Sequence, residues 1–330
     1  MQQLRLATLN CLNLALPQRR TYEGIAPYSA DEYLSKTQWL ASLIDRMAAD
    51  VVLVQEVFQE AALGDVIRQT TAGPQGWRCA APLAPQDNTR PRVGAAWHAA
   101  LDLTVEPLDA LPPACVVEVP ELGPHQRYSR PLLRLRLAVG GTTLTIFNVH
   151  LKSRRPEFLS GEATADPQAL ARAQLRALVK RGAEAAAVRH LACEAIRAQQ
   201  GPVIVAGDFN DEDNAVTTRM IADSSWRADD PVPDRFTLFN ALDVEQHTRP
   251  DRGRDAAYTI LHGGLPERID HVLVSGEFVP QSGHAIGKVA AVEVFSDHLQ
   301  ERRRASRGID VQRIYTDHAA VCVTLAFDAK

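Results

Sequence analysis

The side chains able to do chemistry in this chain sit at the ends of apolar runs. Six stretches share the pattern: LRLATLN closes on Asn10, DVVLVQE on Glu56, TLTIFNVH on His150, and PVIVAGDFN carries Asp208 and Asn210. ERIDHVLV, by contrast, opens with Asp270, and TDHAAVCVTL opens with Asp317 and His318. If the runs are strands of mixed direction, strands of opposite sense bring opposite ends to one edge. The polar residues then gather at a single rim. Their chemistry suits one task, holding a hard divalent cation and hydrolysing a phosphoester.

Glu56 follows a run that reads as buried, and a carboxylate at the mouth of a buried strand needs compensation. Magnesium supplies it, taking one or two carboxylates and keeping waters. Asp208 and Asn210 lie in VIVAGDFND, where Gly207 lets the chain turn sharply as the strand ends. An ionised Asp accepts a proton from water or ligates metal, and an Asn donates to a phosphoryl oxygen without adding negative charge. A calcium loop is the competing reading of DFNDED. It lacks glycine at the sixth position and has Arg219 where the bidentate Glu belongs, so it is rejected.

Asp270 and His318 read as an orienting pair, in which the carboxylate fixes the imidazole tautomer and stabilises its charged form. That cation could then stabilise charge developing on the phosphoryl group. Asp317 is a second candidate metal ligand. A second Asp-His dipeptide, Asp297-His298, is followed by LQERRRASRG, which is no buried strand. The pair at 317–318 is followed instead by Val321, Val323, Leu325 and Phe327 in alternation. His150 and Asn10 become a phosphate contact and a ligand-orienting amide in this company. Arg130, just ahead of the Pro131–Val139 run, is a further substrate-binding residue. His98, His125, His190, His247, His262 and His284 read as structural. No HExxH, P-loop, GxSxG or dinucleotide fingerprint is present.

The elements that must position these residues are legible in outline. Ser29 with Glu32 makes a capping box for a helix over residues 31–49. Residues 50–55 read as a buried strand. Short strands follow near 77–80, 93–97 and 115–119, and residues 132–139 and 143–149 form a hairpin around Gly140-Gly141. Asp166-Pro167 starts a helix whose periodicity runs to about residue 199. Unbroken, it would span about 50 Å, and Gly182 predicts a break into two segments. Further strands fall at 202–206, 268–274 and 319–327. No repeat or linker forces a cut, so one domain over 1–330 is expected.

The chain has 330 residues, 45% hydrophobic and 23% charged, as in a soluble globular protein. Its start lacks the basic and apolar regions of a signal peptide, and no apolar run is long enough to span a bilayer. Five scattered cysteines without a CxxC favour isolated thiols. Together these predict a cytoplasmic protein. A net charge of −4 argues against bulk, non-specific nucleic-acid binding. Two basic clusters, Lys152, Arg154, Arg155 and Arg302, Arg303, Arg304, Arg307, lie beside the candidate ligands in sequence. Such runs read either as a solvated charged surface or, beside these candidate ligands, as an attraction for anionic phosphate.

Taken together and in order, TLN10, QE56, NVH150, GDFN210, RID270 and DH318 resemble the endonuclease/exonuclease/phosphatase superfamily, and the match spans nearly the whole chain. The resemblance implies an α/β fold, a four-layered α-β-β-α sandwich with two mixed β-sheets. It implies a magnesium-dependent site at one end, with manganese as a substitute. In that site Glu56 binds metal with Asn10 and Asp317 nearby. Asp208 and the Asp270–His318 pair handle the attacking water, and Asn210 and His150 contact phosphate. Leu12 stands where apurinic endonucleases carry an Asp, and those enzymes lack a histidine at the position of His150, so abasic-site repair is disfavoured. Residues 154–182 and 275–315 read as insertions that shape substrate choice. The expected activity is hydrolysis of a phosphodiester or phosphomonoester, on nucleic acid or on a small or lipid phosphate. A non-catalytic phosphate- or lipid-binding scaffold of the same fold is the alternative from another class.

Overall fold

A computed structural model of the chain describes residues 2–82, 90–222, 235–248, 257–304 and 311–328. The side chains of 246–248, 302–304 and 311 are not among those described. The arginine cluster at 302–307 and the His247 side chain therefore lie outside the described set.

From the N-terminus the elements are β1 (Gln3–Leu14), α1 (Ala30–Met47), β2 (Val51–Val57), α2 (Glu60–Arg68), α3 (Gly73–Gly76), β3 (Trp77–Ala80), β4 (Arg92–His98) and β5 (Leu103–Ala110). Then come β6 (Val117–Val119), β7 (Gly123–His125), β8 (Arg127–Val139), β9 (Thr142–His150), α4 (Pro167–Arg197), β10 (Val203–Asp208) and α5 (Val216–Ala222). β11 (Leu238–Asn240), α6 (Ala241–Thr248), β12 (Ile260–His262), β13 (Leu265–Glu267) and β14 (Asp270–Ser275) follow. The described chain ends with β15 (Gly287–Phe295), α7 (Asp297–Arg304), α8 (Val311–Ile314) and β16 (Ala320–Phe327).

Two six-stranded sheets carry the architecture, ordered β15-β16-β1-β2-β4-β3 and β11-β14-β10-β9-β8-β5. Both are mixed: β1 and β2 run parallel in the first, β9 and β10 in the second, and the remaining pairs are antiparallel. The alternation of each strand divides its apolar residues between two layers. Leu4, Leu6, Val51, Leu53, Val321, Val323 and Leu325 of the first sheet face Leu133, Leu135, Ile146, Ile204 and Val272 of the second. Ala7, Leu9, Val52, Val54 and Cys322 face outward onto Leu40, Leu43, Ile44, Met47, Leu63 and Val66 of α1 and α2. On the other side Phe147, Val149, Val203, Val205 and Leu273 pack on Val188, Ala192 and Ile196 of α4. The result is helix, sheet, sheet, helix.

The expected helix start at Ser29 holds, with both arms of the capping box formed. The expected break at Gly182 does not occur. α4 runs unbroken from Pro167 to Arg197, capped by Asp166. A glycine inside a helix costs only about 1 kcal/mol, and α4 is anchored on both sides of it: Arg181 and Glu184 are buried in polar contacts, while Ala183 and Ala185 sit in the core. The stretches read as insertions are also partly framework. Residues 167–182 are the first half of α4, and β15, within 275–315, pairs with β16 as the edge of the first sheet. The strand expected near 115–119 splits into a 3-10 turn at Pro113–Cys115 and β6.

Candidate active site

The registers bring the polar ends to one rim. In the first sheet β1 and β2 run parallel, with Asn10 opposite Gln55, and antiparallel β16 starts beside the end of β1, with Thr8 opposite Val321. In the second, Asp208 lies opposite both His150 on parallel β9 and Asp270 on antiparallel β14. Mixed direction therefore places strand ends and strand starts together, as a rim site requires.

Asp208 Oδ2 is the hub. Asn10 Nδ2 donates to it at 3.0 Å, His150 Nε2 lies at 3.4 Å, and His318 Nε2 at 3.9 Å. Its other oxygen accepts the backbone N–H of Asn210 at 2.8 Å. His318 Nδ1 meets Asp270 Oδ2 at 2.9 Å. Asn10, His150, Asp208, Asp270 and His318 are all buried, and Asn210 half-buried. Ligand atoms of Asp208, Asp270 and His318 lie within 4.8 Å of one another. Among the described residues this is the group of carboxylates and imidazole that converges tightly enough to hold a cation. Its His318–Asp270 contact is already a close hydrogen bond, so the arrangement is equally suited to proton handling.

Burial drives the proton affinities of this group. It pushes the Asp208 carboxyl up to about 6, and Asp270 adds to the rise, while His318 and the hydrogen bonds from Asn210 and Asn10 oppose it. For His318 burial works against the cation, but Asp270 and Asp208 together outweigh it, and the imidazole is held charged well above its usual range. His150 goes the other way. Burial, reinforced by the charges of Arg130 and His318, keeps it neutral.

The residues assigned to metal sit where the backbone departs from regular strand. β1 bulges between Asn10 and Leu14, with Leu12 and Asn13 at φ 47° and 54°. β2 bulges between Val54 and Val57, with Glu56 at φ 59°. Such left-handed conformations are costly for residues other than glycine and collect at functional sites. The bulge re-aims Glu56, and Asn13 N–H donates to its Oε2 at 2.8 Å. Glu56 and Asp317 stand outside the tight Asp208–Asp270–His318 group. Asp317 Oδ1 and Asn13 Oδ1 are nevertheless buried and without a hydrogen-bond donor. Oxygen acceptors shut away from water and unpartnered fit a hard cation.

Several supporting residues were not legible in the sequence. Thr316 Oγ1 donates to the Asn10 carbonyl at 2.6 Å and accepts from His318 N–H, coupling β1 to the start of β16. Thr259 Oγ1 accepts the N–H groups of Ile269 and Asp270. His298, of the Asp-His pair that lacks a following strand, is buried on α7 with its Nε2 at 2.9 Å from the His318 carbonyl. Beneath the rim, Gln55 Nε2 donates to Asn148 Oδ1 at 2.7 Å, and Asn148 donates to the carbonyls of Val54 and Gly94 across the sheets. A hydrophilic residue inside an apolar run was the only signal for Gln55 and Asn148. Arg130 lies within β8 and donates to the Leu151 carbonyl at 3.0 Å, which Asn210 Nδ2 also reaches at 3.0 Å. Of the basic residues after His150, Arg154 is paired with Glu267 and Glu212, Lys152 lies by Glu157, and Arg155 is exposed.

The fold is thus a two-sheet α/β sandwich with a buried carboxylate–imidazole group at its rim. The model of the Endonuclease/Exonuclease/phosphatase family matches residues 7–298. The chain belongs to that family. Solved structures share the fold at low identity. Truncated TDP2 of Caenorhabditis elegans aligns with TM-score 0.59 and 15% identity, over 98% of this chain and 97% of that one. A family protein from Bacteroides thetaiotaomicron gives 0.56 and 16%, over 100% and 99%. The human nocturnin catalytic domain with bound sulfate gives 0.54 and 16%, over 99% and 95%. No curated protein sequence matches. Among the described residues no helix is long and apolar enough to cross a membrane.

Proposed function

We propose that this chain is a magnesium-dependent phosphoesterase that hydrolyses its substrate by in-line attack of water, with manganese able to replace magnesium. The observation that carries this reading is Asp208, buried and surrounded by Asn10, His150 and His318, with Asp270 behind the last.

With a proton affinity near 6, Asp208 is ionised at neutral pH yet basic enough to accept a proton from a water beside it. His318, kept charged and oriented by Asp270, donates from Nε2 toward charge developing on the phosphoryl group. His150, neutral, adds a contact without a second cation. Asn210 presents its remaining amide hydrogen, and Arg130 its guanidinium, to the phosphate oxygens. Glu56, Asn10 and Asp317 would hold the metal, whose Lewis acidity, when bound, polarises the phosphoryl oxygen. The substrate is a phosphodiester or a phosphomonoester, of nucleic acid or of a small or lipid phosphate. Residues 1–330 act as one domain in this reading, placed in the cytoplasm.

The test is release of phosphate or p-nitrophenol from generic monoester and diester substrates, with magnesium, with manganese and after chelation. Turnover that needs metal and is lost in Asp208→Ala and His318→Ala supports the reading. Absence of turnover by the wild type across metals and substrates leaves the non-catalytic scaffold.

A further inference from the structure

Behind the rim, α4 carries two buried charged residues one turn apart that take no part in the chemistry above. Arg181 is 5% and Glu184 0% exposed, and at i, i+3 they share a helix face. Glu184 Oε1 accepts from Ser129 N at 2.8 Å, Ser129 Oγ at 2.6 Å and His125 Nε2 at 3.2 Å. Its Oε2 accepts from Lys152 N at 2.7 Å. Arg181 Nε donates to Asp211 Oδ2 at 2.9 Å, and its Nη1 lies 3.4 Å from the Lys152 carbonyl.

The residues so held have catalytic neighbours. Ser129 immediately precedes Arg130, Lys152 comes two residues after His150, and Asp211 directly follows Asn210. Three of the four segments so held carry a group assigned to phosphate, and the fourth, at His125, carries none. The three segments also converge on Leu151: its carbonyl accepts from Arg130 and Asn210, and its N–H donates to the Asp208 carbonyl at 3.0 Å. Burial alone would raise the pKa of Glu184, but the hydrogen bonds from His125 and Ser129 outweigh it and hold it below the usual range, so it remains a carboxylate.

Building on the phosphoesterase reading, we propose that Glu184, with Arg181, is a positioning residue that presets Arg130, His150 and Asn210 around the substrate phosphate. A desolvated carboxylate accepting several N–H and O–H groups fixes backbone more rigidly than a solvated loop contact does. Sites with preset contacts bind phosphate without first ordering them. The same anchoring explains why α4 tolerates Gly182 between the two residues.

The test combines Glu184→Gln and Arg130→Ala, singly and together, with inorganic phosphate as competitive inhibitor. Glu184→Gln should raise KM and the phosphate inhibition constant about tenfold, with kcat moved less. On the Arg130→Ala background the effect on phosphate should shrink to about threefold or below, because one of the groups Glu184 positions is gone. A folded Glu184→Gln enzyme with both constants within about twofold of wild type overturns the proposal. So does an equal factor on both backgrounds. Ser129→Ala removes one arm of the same link and carries the same expectation at a smaller factor, should Glu184→Gln not fold. Hydrogen exchange reads the anchoring without turnover: the amides of Ser129 and Lys152 should exchange about tenfold faster or more in Glu184→Gln. Unchanged exchange sinks the positioning role even in a competent phosphoesterase. Faster exchange in Glu184→Gln, together with a wild type devoid of turnover, sinks only the phosphoesterase reading.

Discussion

Asn10 Nδ2 donates to Asp208 Oδ2 at 3.0 Å across the gap between the two sheets. One residue ends a run in the first sheet and the other ends β10 in the second. A second bond crosses the same gap, from His318 ahead of β16 to Asp270 on β14 at 2.9 Å. The site is thus a seam between two halves of a sandwich, and its geometry depends on how the sheets are stacked. Such pairs hold their distances only when the core beneath them is well packed, and the Gln55–Asn148 bond under the rim ties the sheets at that level.

The Asn10–Asp208 contact bears directly on the acid limb of the reaction. Asn10→Asp replaces a donor with a second carboxylate about 3 Å from the first, and two carboxylates that close resist joint ionisation. The acid limb of kcat/KM should move to higher pH by about one unit or more. A profile superimposable on wild type would show that Asp208 does not set that limb.

The pH dependence of the wild type follows from the directions of the shifts. Asp208 titrates near 6, so kcat/KM should rise as pH passes through about 6 and the carboxylate loses its proton. His318 is held charged well above its ordinary range, so no fall is expected until well above neutrality. Asp270→Asn removes the leading support of that cation. The plateau should then narrow from its alkaline side, and kcat should drop about 10²–10⁴-fold. The limbs are read with chemistry rate-limiting. A flat profile from about pH 5 to 8 would rule out the Asp208 assignment, and a fall that begins below neutrality would rule out that of His318.

What could be read before the fold was known depended on periodicity. Strand ends were visible because Asn10, Glu56, His150 and Asp208 each interrupt an apolar run, and opposite polarity in Asp270 and His318 required mixed strand direction. The family's fold follows from those motifs in order. Residues acting through backbone were not visible. Thr316, Thr259, Ser129 and Glu184 look like ordinary polar residues of loops, strand and helix, and only long-range contacts give them partners. Gly182 misled for the same reason, since its local cost is outweighed by tertiary anchoring on either side. Asp297-His298 looked inert because only the folded chain sets it against the His318 carbonyl.

Metal binding can be measured apart from turnover. A cation held by the native state alone raises stability by RT ln(1 + [L]/Kd), about 2.7 kcal/mol at a hundredfold excess over Kd. The wild type should therefore melt at a higher temperature with magnesium or manganese than with chelator. Glu56→Gln keeps the size of the side chain and removes its charge, and should abolish most of that shift while leaving the metal-free melting temperature close to wild type. An undiminished shift in Glu56→Gln would assign the metal to the Asp208–Asp270–His318 group instead.

Gly207 in the GDFN motif is needed for a different reason from the turn its sequence position suggests. It lies within β10, opposite Val149 and next to Asp208, at φ 144°. A Cβ added there would overlap the Val149 carbonyl oxygen. The glycine is required both by its positive φ, which L side chains rarely adopt, and by the close approach of β9, at the point where His150 and Asp208 are brought side by side. Backbone cannot yield as a flexible side chain does. Gly207→Ala should therefore part the two strands, costing about 4 kcal/mol or more, and any enzyme that still folds should lose activity out of proportion to its lost stability. Denaturant titration and kcat/KM measured on the same preparation check this. Gly182→Ala is the contrast, with no atom within 4 Å of its added Cβ and a helical backbone, and should be neutral or stabilising by up to about 1 kcal/mol. Equal effects of the two substitutions would remove strand approach as the reason for Gly207.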